Sequence, residues 1–267
     1  MIVNKRHTNR SNRIMASLLV CVLVVLSAAF MMPQRRATLY IIGDSTVRNK
    51  NTNGQWGWGS LISSFFDSSK LAVSNQAMAG RSTRTFIKES RWDTVLSTIQ
   101  AGDYVMMQFG HNEGARPDTS RAGYRGVLRG TGQDTSILTW PNGDRETVHT
   151  YGWYLTKFIT EAKAKGAIPI VVSLIPRNIF KDDKVARGDK DFGKWAMETA
   201  RDNGAFFIDL NRIVADKYDT MGSVKVSAFF PGDHTHTNKE GAALNAASVI
   251  EGLRTIKACG LNQYLLP

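Results

Sequence analysis

Between residues 37 and 267 short apolar runs alternate with longer amphipathic stretches. Leu39-Tyr40-Ile41-Ile42 is an unbroken apolar run stopped by Gly43, the pattern of a strand buried on both faces. Leu71-Ala72-Val73, Tyr104-Val105-Met106-Met107, Ile168-Pro169-Ile170-Val171-Val172 and Ala205-Phe206-Phe207-Ile208 read as four further strands. The stretches between them carry helical spacing. Tyr151, Tyr154, Leu155, Phe158, Ile159 and Ala162 share one helix face, and Gly166 closes that helix. A second helix is predicted near 190–203. A third begins at Thr237-Asn238-Lys239-Glu240, where Thr and Glu have capping-box spacing, and runs to about Lys257.

Strands separated by helices predict right-handed crossovers and a parallel sheet with helices on both faces, an α/β fold. Residues 112–148 break the rhythm, with little periodicity and many Gly, Arg, Thr and Asp residues. So long a connection leaving the carboxyl end of the third strand is expected to wall a site.

Residues 1–36 stand apart. Lys5, Arg6, Arg10 and Arg13 precede a largely apolar run that ends near Ser27-Ala28-Ala29, the layout of a secretory signal peptide. The run is also long enough to serve as an N-terminal membrane anchor. The protein is thus expected to be exported, whether periplasmic, extracellular or envelope-anchored, with 37–267 as its one folded domain. Most of the formal charge of +11 shrinks once this segment is set aside, because it holds six of the 34 basic residues and no acidic one. The 28 basic and 23 acidic residues that remain are dispersed along the chain. They make no nucleic-acid stripe but suit a polyanionic substrate. Without the segment only Cys259 is left, so no internal disulfide is expected.

Candidate chemistry gathers where strands end. Ser45 follows the first strand in Gly43-Asp44-Ser45, at the sheet edge where open α/β folds place their sites. Gly80 follows the second strand, Gly110-His111-Asn112-Glu113 the third, and Asp233-His234-Thr235-His236 precedes the last helix. Acyl transfer needs a nucleophile, a base and a group that orients the base. Ser45, His236 and Asp233 can fill those roles. The amides of Ser45 and Gly80 and the side-chain NH₂ of Asn112 offer three donors for an oxyanion.

These four blocks, in this order, resemble the SGNH (GDSL-type) hydrolases. Within them the chain is similar to the rhamnogalacturonan acetylesterases over nearly all of 37–257. The likeness includes Gly57-Trp58-Gly59, Gln108-Phe109-Gly110-His111-Asn112, Val148-His149-Thr150-Tyr151-Gly152-Trp153-Tyr154 and Ile175-Pro176-Arg177-Asn178. The resemblance implies a flavodoxin-like three-layer α/β/α sandwich with a five-stranded parallel sheet. It also implies no cofactor or metal, and removal of acetyl groups from pectin. Glu113 departs from the Asp usual in that family, which leaves a local hydrogen bond open.

Competing readings attach to several residues. His234 is a second candidate base, although its place beside Asp233 should turn it away from that carboxylate. Asp233, His234 and His236 could instead ligate a metal, with His111 or His149 added. His111 is expected to be a buried ring supporting the third-strand turn, and Asp44 a turn-stabilising carboxylate. Trp153 and Trp195 are assigned to the core by their helices. Trp58 and Arg81 are the candidates for substrate contact, and Arg84, Arg116 and Arg177 lie on site-side loops where guanidinium groups suit uronate carboxylates. The expected protein is a monomeric serine esterase for acetylated pectic polysaccharide or oligosaccharide, with no nucleic-acid partner. An esterase for another acetylated glycan such as xylan, or an inactive glycan-binding module, is the alternative.

Overall fold

The leading apolar run forms β1 (Ala37–Gly43), and its side chains divide between two cores. Leu39 and Ile41 pack into one, Tyr40 and Ile42 into the other. Burial on both faces is why the run from Leu39 to Ile42 has no strongly polar position. The computed structural model describes residues 35–48 and 50–267, so all but the last two residues of the expected signal or anchor segment lie outside the described residues.

In chain order β1 is followed by α1 (Ser45–Arg48), β2 (Leu71–Asn75), α2 (Thr83–Lys88), α3 (Arg91–Thr98) and β3 (Tyr104–Gln108). Next come β4 (Thr135–Thr139), β5 (Arg145–His149), α4 (Tyr151–Ala164) and β6 (Ile168–Val172). The remainder comprises β7 (Phe180–Lys181), β8 (Lys184–Val185), α5 (Phe192–Asp202), β9 (Phe206–Ile208), α6 (Leu210–Met221), α7 (Ser223–Ser227) and α8 (Lys239–Thr255). The central sheet has the order β2-β1-β3-β6-β9 with every pairing parallel. Helices α2 to α5 share one core with one face of the sheet, and α1 and α6 to α8 share the other. The fold is a three-layer α/β sandwich. Its strand order reverses between β1 and β3, which opens a crevice at their carboxyl ends. Among the described residues no helix is long and apolar enough to cross a membrane.

Two local findings refine the sequence reading. The last helix is capped by Asn238, whose side chain accepts from the Gly241 amide at 2.9 Å. Thr237 is not the cap, because its hydroxyl donates to the Trp56 carbonyl and so fastens this loop to the one after α1. The irregular span 112–148 holds all but the last residue of the antiparallel β4–β5 hairpin, which forms a sheet separate from the main one.

Candidate active site

Only glycine fits at residue 43: a Cβ there would lie 2.6 Å from the Gln108 carbonyl oxygen and 2.7 Å from Val47 Cγ2. The chain therefore turns tightly off β1 and delivers Ser45 as the first residue of α1. Asp44 secures the turn, its Oδ1 accepting from the Thr46 amide at 2.9 Å and the Thr46 hydroxyl at 2.7 Å. Gln108, at the end of β3, donates to the Thr46 hydroxyl at 2.8 Å and accepts from Trp58 Nε1 at 2.7 Å.

This arrangement corrects the reading of Trp58 as a substrate contact. The ring is fully buried, and its indole braces the turn that carries Ser45 through Gln108. The glycines on either side of it serve packing, since a Cβ at Gly57 or Gly59 would strike Val47 at 2.5–2.7 Å.

Ser45 lies 2.8 Å from His236 Nε2, and His236 Nδ1 lies 2.7 Å from Asp233 Oδ2. A carboxylate facing Nδ1 requires the proton there, which leaves Nε2 to accept from the serine hydroxyl. Asp233 Oδ1 also accepts from the amides of Thr235 and His236 at 2.6 and 2.8 Å. Burial works to raise the Asp233 carboxyl, but the His236 and Thr235 hydrogen bonds outweigh it and hold it at about 2. It is thus ionised throughout the range in which an imidazole acts as a base. His234 is turned elsewhere, with Nε2 accepting from Arg177 at 3.2 Å.

Across the crevice, Asn112 Nδ2 donates to the Arg81 carbonyl at 3.1 Å, and Asn112 Oδ1 accepts from Arg125 at 2.9 Å. These two contacts fix the amide's orientation, because a flipped amide would set donor against donor and acceptor against acceptor. One N–H of the group remains for a ligand. Among the described residues the backbone amides of Ser45 and Gly80 meet no acceptor either. Arg125 has no place in the sequence reading; it lies 13 residues from Asn112 in the irregular span. Arg125→Met is expected to free the amide to rotate and to lower kcat by about tenfold, with little change in KM. Steady-state kinetics on a small acetyl ester check this, and added guanidinium should restore part of the loss.

Glu113 supplies the hydrogen bonds that its departure from Asp left open. Its carboxyl accepts from the amides of Thr83, Gly110 and Asn112 at 2.8, 3.0 and 2.9 Å, joining the loops after β2 and β3. Burial, with Asp44 nearby, pushes this carboxyl up to about 8. The unfolded carboxyl releases its proton near 4.5, so the folded state holds a proton the unfolded state lacks between these values. The stabilisation is complete below about 4.5 and is lost as the pH rises towards 8. Melting curves of wild type and Glu113→Gln across this window should show the difference moving against the wild type, by about 1.4 kcal/mol per pH unit at most.

His111 is a buried ring under the same turn, with Nδ1 and Nε2 each 3.1 Å from an oxygen acceptor, Asp44 Oδ2 and the Ile175 carbonyl. Burial acts to raise the Asp44 carboxyl, and the attraction and hydrogen bond of His111 bring it below its usual range. Arg177 ties the two halves of the crevice together. It donates to the His111 carbonyl at 3.1 Å and to the Thr235 hydroxyl. Arg81 points its guanidinium at Glu89, 2.9 Å away, and reaches Asn112 through its carbonyl alone. Arg84 is almost wholly buried on Glu146, and Arg116 is exposed. Among the described residues no group of three or more His, Cys, Asp or Glu side chains is placed to hold a metal ion.

Comparison with known proteins adds to this geometry. The model of the GDSL-like Lipase/Acylhydrolase family matches residues 41–244. The chain is 32% identical over 231 residues to a rhamnogalacturonan acetylesterase of Emericella nidulans, spanning 86% of this chain and 90% of that one. It is 28% identical over 244 residues to the rhamnogalacturonan acetylesterase RhgT of Bacillus subtilis, spanning 84% and 93%. Among solved structures, YXIM of Bacillus subtilis superposes with a TM-score of 0.67 at 24% identity. That match covers 84% of this chain but only 58% of YXIM. Axe2, an acetylxylan esterase from Geobacillus stearothermophilus, superposes with a TM-score of 0.54 at 14% identity, covering 83% and 96%.

Proposed function

The chain belongs to the GDSL-like lipase/acylhydrolase family of carboxylic ester hydrolases, and on that premise we propose that it is an exported serine esterase removing O-acetyl groups from pectic rhamnogalacturonan. The observation that carries the reading is the unbroken path from Ser45 through His236 to Asp233, 2.8 and 2.7 Å long. In this reading Ser45 Oγ attacks the acetyl carbonyl as His236 Nε2 takes the hydroxyl proton. Negative charge gathers on the carbonyl oxygen, towards which the amides of Ser45 and Gly80 and the Asn112 side chain donate. His236 then returns the proton to the departing sugar oxygen. Water, deprotonated by the same imidazole, cleaves the acetyl-serine and regenerates the hydroxyl. Asp233 holds the ring by Nδ1 and offsets its charge while it carries the extra proton. Each step moves only protons and an acyl group among these side chains, so no cofactor enters.

The sugar class comes from the relatives. Two proteins named rhamnogalacturonan acetylesterase share 32% and 28% identity with this chain over nine-tenths or more of their own length. Acetate release should therefore be faster from acetylated rhamnogalacturonan than from acetylated xylan at equal ester concentration. The reverse order would move the substrate to xylan, and release from neither would remove the glycan reading altogether.

A further inference from the structure

A cavity of about 850 Å³ opens between α2, the β4–β5 hairpin and the start of α4, and none of Ser45, Asn112, Asp233 or His236 lines it. Its walls include Tyr124, Trp140, His149 and Trp153. Tyr124 and Trp140 belong to neither apolar core, yet both are held in place. Trp140 Nε1 donates to Glu146 at 2.9 Å, and the Lys88 ammonium sits 3.6 Å from the centre of the indole and 5.4 Å from that of Tyr124. The two rings meet edge to face, 5.7 Å apart. Glu146 in turn is fixed by the buried Arg84 through bonds of 2.7 and 2.9 Å. Trp153 packs against the core, as its helix suggests, but is only partly buried, and its ring stacks at 3.7 Å on His149.

Aromatic rings usually repay their burial by filling a core or an interface. Here a network of ion pairs and ring contacts holds them around a hollow instead. Rigid aromatic walls suit the apolar C–H faces of pyranose rings. Charge narrows the class further. Arg84, Lys88 and Arg145 line the cavity against Asp144 and Glu146, a surplus of one positive charge. Arg145 is exposed and forms no ion pair among the described residues, so its guanidinium is available to a carboxylate. The cavity also adjoins the candidate active site along the chain, since Tyr124 lines it and Arg125 holds Asn112.

We propose that this cavity is a second sugar-binding site that holds a uronate-containing stretch of the polysaccharide beside the ester-cleaving centre. The ligand class rests on the pectic reading given above. Calorimetric titration with an unacetylated hexasaccharide of alternating galacturonic acid and rhamnose tests it, in a Ser45→Ala background that cannot turn over contaminating esters. Adding Trp140→Ala or Arg145→Glu should each weaken binding by about tenfold or more. Xylohexaose, which lacks carboxylates, should bind at least tenfold more weakly than the acidic sugar. Trp140→Ala removes a bond to Glu146 and could unsettle the hairpin. Arg145→Glu alters only an exposed side chain and decides the matter should the other variant not fold. Affinity retained by either folded variant, or equal binding of xylohexaose, overturns the proposal. If the wild type cleaves small acetyl esters but releases no acetate from any glycan, the proposed function falls, while the titration still decides the cavity.

Discussion

Ser45→Ala is expected to fold like the wild type and to lose acetate release by a factor of roughly 10⁴–10⁶. The two halves of that expectation rest on different contacts. Folding should survive because the turn that carries Ser45 does not lean on the hydroxyl. Its supports are Asp44 with Thr46, Gln108 with Thr46 and Trp58, and the close approach of Gly43 to β3. Among the described residues the Ser45 side chain makes one hydrogen bond, to His236. Activity should vanish because, among the described residues, no other hydroxyl meets His236 Nε2, and the remaining donors cannot form an acyl bond. Thermal melting and a direct acetate assay separate the two halves. A variant that melts normally yet keeps more than roughly a tenth of its turnover would sink the serine mechanism.

Legibility in the sequence followed the range of the forces involved. The inner strands of the central sheet could be read because they meet a core on both sides and tolerate few polar residues, and the edge strand β2 because its Leu71 and Val73 face one of those cores. The β4–β5 hairpin could not. Its first strand is exposed at nearly every position, with Ile137 57% exposed, so no buried face imposed an alternation. Helix α6 was hidden for another reason. Its apolar positions Leu210, Ile213 and Val214 follow directly on the apolar residues of β9, and the two patterns run together.

Within the crevice, Asp233 and His236 are three residues apart, and a local bend brings them together. Ser45 and His236 are separated by 191 positions, and only the order of blocks along a doubly wound sheet suggested their meeting. The supports of the site were less legible. Trp58 reads like a surface aromatic between two glycines, because its partner Gln108 is 50 residues away. Arg81 looks like a carboxylate binder until Glu89 is seen to hold it. The carbonyl of the same residue, which the sequence cannot orient, is what holds Asn112.

Asn112→Ala should lower kcat by about 10²–10³ and leave KM far less affected, the mark of a donor that matters only once charge has formed. One hydrogen of its amide is taken by the Arg81 carbonyl and its oxygen by Arg125, so the second hydrogen is the part lost to the reaction. Ser45 should remain reactive towards an organophosphate in this variant, though more slowly, because the path to Asp233 is untouched. Asn112→Asp should be worse than Ala. The introduced carboxylate would keep the ion partner Arg125, but its other oxygen would face the Arg81 carbonyl and direct negative charge at the forming oxyanion. Fold and chemistry can again be told apart. The main chain of Asn112 is held by Glu113 through a 2.9 Å bond from its amide, which neither substitution removes, so both variants should melt close to the wild type. Unchanged kcat with a clearly lower melting temperature would make Asn112 a loop brace. It would then also detach Arg125 from the reaction, since Arg125 acts through the Asn112 amide.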